Sequence, residues 1–257
     1  MSDLPAFETR NQSPLLVRSL VLAYGVTCYL TFIATFLYAI GFVANLLVPK
    51  SIDSGQQTSL GESVLVDLLL LGLFAVQHSV MARPSFKHWW SRFVPMHAER
   101  SSYVLLSSLL LALLFWQWRP IASPVWEIEH PVAVTVFWVI FGMGWLFVLI
   151  STFLIDHFDL FGLRQVFLFS TGRPYSPPPF RTPAFYKIVR HPIMLGFLIA
   201  FWVTPVMTWG HLLFAVMTTG YIVIGVSLEE RDMRNAFGDT YDAYRKQVSM
   251  IVPWIRK

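Results

Sequence analysis

VAVTVFWVIFGMGWLFVLISTFLI, residues 132–155, decides what kind of protein this is. It runs for 24 residues without one charged side chain. Coiled as an α-helix at 1.5 Å per residue it would measure about 36 Å, enough to cross a hydrocarbon core of about 30 Å. A helix at the surface of a soluble domain keeps a charged face toward water, and this stretch has none. Working outward, five more apolar segments stand out, at about 15–48, 64–81, 103–118, 193–208 and 210–228. The first is longer than a perpendicular crossing needs, so it tilts or extends past the hydrocarbon. The segments at 103–118 and 193–208 are short. The last two are separated only by Trp209 and Gly210. They read as a tight helical hairpin, or as a pair that crosses incompletely. The expected fold class is therefore all-α, a polytopic integral membrane helix bundle of five to six transmembrane helices.

Composition agrees. Hydrophobic residues make up 55% of the 257 positions and charged residues 13%, against about 25% charge in a soluble domain. Mean hydropathy is +0.57. No segment outside the apolar runs is long enough to build a core of its own, so residues 1–257 read as one membrane domain. The polar stretch 1–14, with Asp3 and Glu8, precedes an apolar run too long for the core of a signal peptide. The single cysteine, Cys28, excludes an internal disulfide and reads as a packing residue.

Charge orients the chain. With the N-terminus in the cytoplasm and six alternating spans, 17 of the 19 basic residues fall on the cytoplasmic side; only Lys50 and Arg119 do not. That asymmetry predicts both termini inside. It also accounts for the net charge of +4 without nucleic acid, for which no basic strip interleaved with aromatics is present. Trp89, Trp90, Trp116, Trp118, Trp126 and Trp254 fall near span ends, as an aromatic belt in contact with membrane lipid would. The proline-rich stretch 172–179 reads as a rigid extended connector along the membrane surface.

Polar residues within or beside spans are costly and are the first candidates for function. The second span carries Asp67 and ends in Gln77-His78-Ser79. Asp67 has a structural reading as a hydrogen bond to a neighbouring helix. His78, near the cytoplasmic end, is open to either a structural or a chemical role. The densest polar cluster is C-terminal. Arg190-His191-Pro192 precedes the fifth apolar segment, and Glu229-Glu230-Arg231-Asp232 follows the sixth, continuing to Tyr241, Tyr244 and Arg245. Two antiparallel spans would return the chain to the side it left and bring these pieces together. Adjacent residues on a helix point about 100° apart, so Glu229 and Glu230 take different roles; one faces a pocket while the other pairs with Arg234 or Arg231. No His/Cys/Asp/Glu spacing suggests a metal site.

In order and spacing, Arg190-His191-Pro192, Glu229-Glu230 and Phe237-Gly238-x-x-Tyr241-x-x-Tyr244 resemble the isoprenylcysteine carboxyl methyltransferase superfamily over residues 156–253. Gln77-His78-Ser79, Met81-Ala82-Arg83-Pro84, Glu99-Arg100-Ser101, Trp116-Gln117-Trp118-Arg119-Pro120 and Leu160-Phe161-Gly162-Leu163-Arg164-Gln165 resemble its NnrU-like branch. With the C-terminal set they are similar to the bacterial methanethiol S-methyltransferases over nearly the whole chain. The resemblance implies S-adenosylmethionine as cofactor, methanethiol as substrate, dimethyl sulfide as product, and the bacterial inner membrane as location. It implies that residues 156–257 form the cofactor-binding core and that 15–155 contribute the substrate pocket. Arg190, His191, Pro192, Gly196, Glu229, Glu230, Tyr241 and Arg245 would bind or order the cofactor, with Arg245 suited to its carboxylate. His78, Arg83 and Tyr244 are the catalytic candidates, because a thiol needs a base or a cation to become the nucleophilic thiolate. A methyltransferase acting on a lipid or a prenylcysteine, and a non-catalytic NnrU-type accessory protein, are the alternatives. Where relatives carry a tyrosine two positions after His-Pro, this chain has Met194.

Overall fold

A computed structural model describes residues 13–253. Asp3, Glu8, Arg10, Trp254, Arg256 and Lys257, used above for charge and aromatic placement, lie outside the described residues. Of the described residues 72% are helical, which makes the fold all-α. The helices are α1 (Leu15–Ala44), α2 (Leu60–Ala82), α3 (Pro84–Trp90), α4 (Met96–Gln117), α5 (Pro131–Ile155), α6 (His157–Leu160), α7 (Leu163–Ser170), α8 (Pro192–Trp202) and α9 (Trp209–Gln247). Two short strands, β1 (Pro124–Glu127) and β2 (Val206–Thr208), pair antiparallel. Prolines open α3, α5 and α8, where a missing N–H costs nothing and φ is already helical.

Helices α1, α2, α4, α5 and α9 are long and apolar enough to cross a membrane. They expose large apolar side chains such as Leu20, Leu69, Val139 and Ile224. Water would penalise that surface and acyl chains do not, so this is an integral membrane protein.

The fifth apolar run departs from a helical hairpin. Its helix, α8, has 11 residues and so measures about 16 Å, half a hydrocarbon core. It stops at Trp202 because Pro205 cannot donate to a helix and biases Thr204 toward extended backbone. The chain continues extended into β2. Its freed polar groups are satisfied: β2 pairs with β1, Ile128 N donates to the Pro205 carbonyl at 2.9 Å, and Trp126 Nε1 donates to the Thr204 carbonyl at 3.2 Å. Non-helical backbone is tolerated at membrane depth only under such conditions. Among the described residues, five helices are long and apolar enough to cross, and one apolar helix is of half length.

The chain divides into two compact units. The first takes residues up to Leu37 with Leu73–Leu113 and Asp156–Phe180; the second takes Tyr38–Gly72, Leu114–Ile155 and the chain from Arg181 onward. In the first, side-chain hydrogen bonds tie elements distant in sequence. Tyr24 Oη lies 2.7 Å from Ser102 Oγ, Tyr29 Oη lies 2.8 Å from His157 Nε2, and Arg100 Nε donates to the Leu160 carbonyl at 2.8 Å. Cys28 is buried, as a packing residue should be.

In the second unit, α8 lies along α5 at a close approach between Gly144 and Gly196. A Cβ on Gly196 would fall 2.7 Å from Val148 Cγ2 and 2.8 Å from the Gly144 carbonyl oxygen. Trp118 corrects the aromatic-belt expectation: it is fully buried, packs edge-on to Phe42 and Phe214, and donates Nε1 to the Ile52 carbonyl at 3.0 Å. A tryptophan with an internal acceptor gains more from burial than from the interface. Trp89 and Trp116 remain exposed, as belt residues do. Asp67 is buried and its Oδ1 accepts from Arg119 N at 2.9 Å, closing the loop after α4. The expected partner is a neighbouring helix; the role is structural, but the donor is a loop amide.

Candidate functional site

Thr208 caps α9, its hydroxyl accepting from His211 N at 3.1 Å. Glu230 lies 21 residues beyond Trp209, about 32 Å along the helix. One hydrocarbon thickness therefore separates it from the β1–β2 end. Past Glu230 the helix breaks. Gly238 has φ 49° and ψ −127°, a conformation that a side chain makes costly, and the chain turns back there. On an unbroken helix Glu230 and Tyr241 would stand about 16 Å apart. Instead Tyr241 Oη donates to Glu230 Oε1 at 2.8 Å. The returning segment is then fastened to the turn before α8. Arg190 N donates to the Ser249 carbonyl at 2.8 Å and His191 N to the Met250 carbonyl at 3.1 Å.

This brings Arg190, His191, Glu230, Tyr241 and Arg245 around one carboxylate. Arg190 grips Glu230 bidentately, Nε to Oε1 at 2.7 Å and Nη2 to Oε2 at 3.1 Å. His191 Nε2 lies 3.0 Å from Oε1, and Arg245 Nε lies 2.9 Å from Oε2. The Arg190 side chain is 2% exposed, and its Nη1 donates to the carbonyls of Arg245 and Val248. A charge so far from water persists only when paired and hydrogen-bonded. Glu230 is thus the anchor for three segments at once. Glu229 differs, as adjacency on a helix requires: its side chain is 52% exposed, with Oε2 3.6 Å from His191 Nδ1.

The expected partner of the glutamates is corrected. Arg234 pairs with Asp242 across the Gly238 break at 3.1 Å, and Arg190 takes the role proposed for Arg231 or Arg234. Arg190 is forty residues away in sequence, so helical spacing rules could not propose it. Tyr244 donates its hydroxyl to the Tyr186 carbonyl. Tyr186, absent from the sequence-derived set, donates to the Ser151 carbonyl at 3.3 Å. Burial, with smaller contributions from Glu229 and Tyr244, pushes the Tyr186 phenol above its ordinary value, so it is a donor here and not a base. Its only sequence signal is an aromatic four residues before Arg190. Pro192 opens α8, and Gly196 sits at the α5 contact described above.

The other two sequence candidates belong to the first unit. His78, on α2, has Nε2 2.8 Å from Tyr103 Oη and Nδ1 3.2 Å from Ser107 Oγ. Arg83, the residue before α3, turns its Nε back onto the Ser79 carbonyl at 3.2 Å. The same unit carries a buried cluster in the 156–180 segment. Asp159 Oδ1 accepts from Arg164 Nη1 at 2.9 Å, and Tyr175 Oη lies 3.4 Å from Oδ2. Burial raises the Asp159 carboxyl against the pull of Arg164, and burial next to that carboxylate pushes Tyr175 up to about 12. This cluster pins the end of α6 to the proline-rich connector.

The chain is 57% identical to Methanethiol S-methyltransferase 2 of Bradyrhizobium diazoefficiens, over 92% of this chain and 91% of the relative. It is 53% identical to Methanethiol S-methyltransferase of Mycobacterium tuberculosis, over 92% and 97%. A more distant similarity, 33% identity over 70% of this chain and 71% of the relative, is to Nurim of Mus musculus. No family model and no solved structure matches the chain.

Proposed function

The chain belongs to the methanethiol S-methyltransferase family, and on that premise we propose that it moves a methyl group from S-adenosylmethionine to methanethiol, giving dimethyl sulfide. The observation that carries this reading is the Glu230 assembly, in which five polar side chains from two sequence regions converge beside a half-exposed Glu229. The donor set suits the cofactor. It has an ammonium and ribose hydroxyls for a carboxylate, and a carboxylate for a guanidinium. Glu229 is the carboxylate left with an exposed face. Arg245, whose Nη1 is held only at 3.4 Å by Asp242, is the guanidinium with capacity to spare. Arg190, His191 and Tyr241 each direct a polar atom to Glu230 and hold the turn in place. Pro192 and Gly196 act by setting where α8 begins and how closely it meets α5.

Bound S-adenosylmethionine supplies an electrophilic methyl on a sulfonium, so the protein has to align a thiol sulfur in line with it and help the thiol ionise. No nucleophilic side chain is required. His78 is the group we assign to accept the thiol proton, being a histidine whose two ring nitrogens lie beside the hydroxyls of Tyr103 and Ser107. The basic asymmetry supports the cytoplasm as the reaction side, and we place the chain in the bacterial inner membrane.

Purified protein in nanodiscs, given methyl-labelled S-adenosylmethionine and methanethiol, should release labelled dimethyl sulfide to the headspace. Labelled product from a prenylcysteine or a phospholipid, and none from methanethiol, would overturn the assignment.

A further inference from the structure

Helices α2 and α4 are both long and apolar enough to cross the membrane, so the residues that join them, 83–95, lie at one membrane face. Helix α3 fills much of that link. Phe86 and Trp90, one turn apart, pack on the buried cluster of Met81, Tyr103 and Val104 and fix how α3 is turned. At about 100° per residue, His88 then points away from that cluster, with Trp89 and Lys87 to either side of it. Past the helix the chain closes in turns: Arg92 N donates to the Trp89 carbonyl at 3.2 Å and Phe93 N to the Trp90 carbonyl at 3.0 Å. These turns set Phe93 edge-on to Trp89, ring centroids 5.3 Å apart. Both rings are exposed, Trp89 at 47% and Phe93 at 67%. His88 and Arg92 are exposed as well, and Lys87 is half-buried.

An exposed aromatic pair at a membrane face belongs where headgroups meet acyl chains. That depth suits any phospholipid, and charge decides among them. From residue 82 to residue 98 the chain carries Arg83, Lys87 and Arg92, with His88 and His97, and no Asp or Glu. Local structure accounts for two of the three cations. Arg83 turns its Nε onto the Ser79 carbonyl at 3.2 Å, and Lys87 sits in the last turn of α3, where a cation favours the helix dipole. Arg92 lies beyond the helix end and is exposed, so neither account reaches it. We propose that the α3 turn is a binding surface for anionic phospholipid. Lys87 and Arg92 face headgroup phosphates, whose oxygens suit ammonium and guanidinium donors, while Trp89 and Phe93 lie against the glycerol and the upper acyl chains. A zwitterionic lipid brings a cation of its own to a stretch with no carboxylate to receive it, so the surface prefers a headgroup of net negative charge.

Native mass spectrometry of the full chain in detergent, titrated with phosphatidylglycerol or phosphatidylcholine, resolves bound lipids one at a time and gives a Kd for the first. Phosphatidylglycerol should bind more tightly, by about fivefold for each basic side chain engaged, hence about 25-fold for two. Lys87→Gln combined with Arg92→Gln should abolish most of that preference and leave phosphatidylcholine binding unchanged. Trp89→Leu with Phe93→Leu should weaken both lipids alike. Lys187→Gln with Lys246→Gln removes the same charge from two other exposed positions and should keep the preference. Equal affinity of wild type for the two lipids would overturn the proposal. So would an equal loss of preference in the Lys187/Lys246 variant, since net charge and not this turn would then be responsible. Displacement of phosphatidylglycerol by millimolar inorganic phosphate would also overturn it, because the surface would then take the free anion. Should the Lys87/Arg92 variant not fold, Arg92→Glu decides: at that exposed position it should weaken phosphatidylglycerol by fivefold or more, and an unchanged Kd would refute the site.

Discussion

Replacing Glu230 by Gln tests the site at its centre. The change keeps the side chain's size and removes its charge. In the native arrangement that carboxylate accepts from Arg190 twice and from His191 and Tyr241, and it pairs with Arg245. Gln has one acceptor oxygen, and it brings an NH₂ toward the Arg190 fork, where two donors would meet. Breaking a buried ion pair from one side costs about 3–5 kcal/mol, because the other charge stays buried. Here Arg190 retains two backbone carbonyls, so the lower end, about 3 kcal/mol, applies. That corresponds to roughly 10²-fold in an equilibrium that needs the turn assembled. Equilibrium binding of labelled S-adenosylmethionine to the variant in nanodiscs should show Kd weakened by about that factor, with a lower Tm. Native affinity and native Tm together would refute the argument that Glu230 organises the site. Weakened binding at unchanged Tm would instead mean that Glu230 touches the cofactor and does not hold the fold.

Glu229→Gln should give the complementary result, about tenfold weaker cofactor binding with Tm unchanged, since a half-exposed carboxylate contributes a charged hydrogen bond to ligand and little to packing. Gly238→Ala adds a Cβ with open space around it, so any loss comes from backbone strain alone, about 1–3 kcal/mol; a drop in Tm and in cofactor affinity should appear, and an unaltered protein would show that the turn-back is not needed. Gly196→Ala forces a Cβ into the Gly144 carbonyl and should lower Tm through the α5–α8 contact, whether or not cofactor is present. For orientation, Ser54→Cys and Gln247→Cys in a Cys28→Ser background should label from opposite sides of the membrane; labelling of both from outside would rule out cytoplasmic termini.

Sequence alone determined that the chain crosses a membrane, and bounded the crossings at five to six helices. Runs such as 132–155 have one comfortable solvent, and that is a property of composition and length. It also marked the motif pieces, because ordered polar residues beside apolar runs are costly enough to be conspicuous. Tertiary structure alone decided what those pieces do to one another. Arg190 as the partner of Glu230 depends on a turn, a half-length helix, a strand and a helix between them. Tyr241 reaches the same carboxylate only because the chain reverses at Gly238. Trp118 read as an interfacial residue because its position near a span end was visible, and its acceptor, the Ile52 carbonyl, was not. The fifth run could be seen as short for a full crossing, but its completion as a strand needed β1 as partner. His78 was legible as a polar residue near a span end; the two hydroxyls that address its ring nitrogens are supplied by another helix. Local propensity and hydropathy act over a few turns of one segment, whereas hydrogen-bond partners are chosen by packing between segments, and that choice is made in three dimensions.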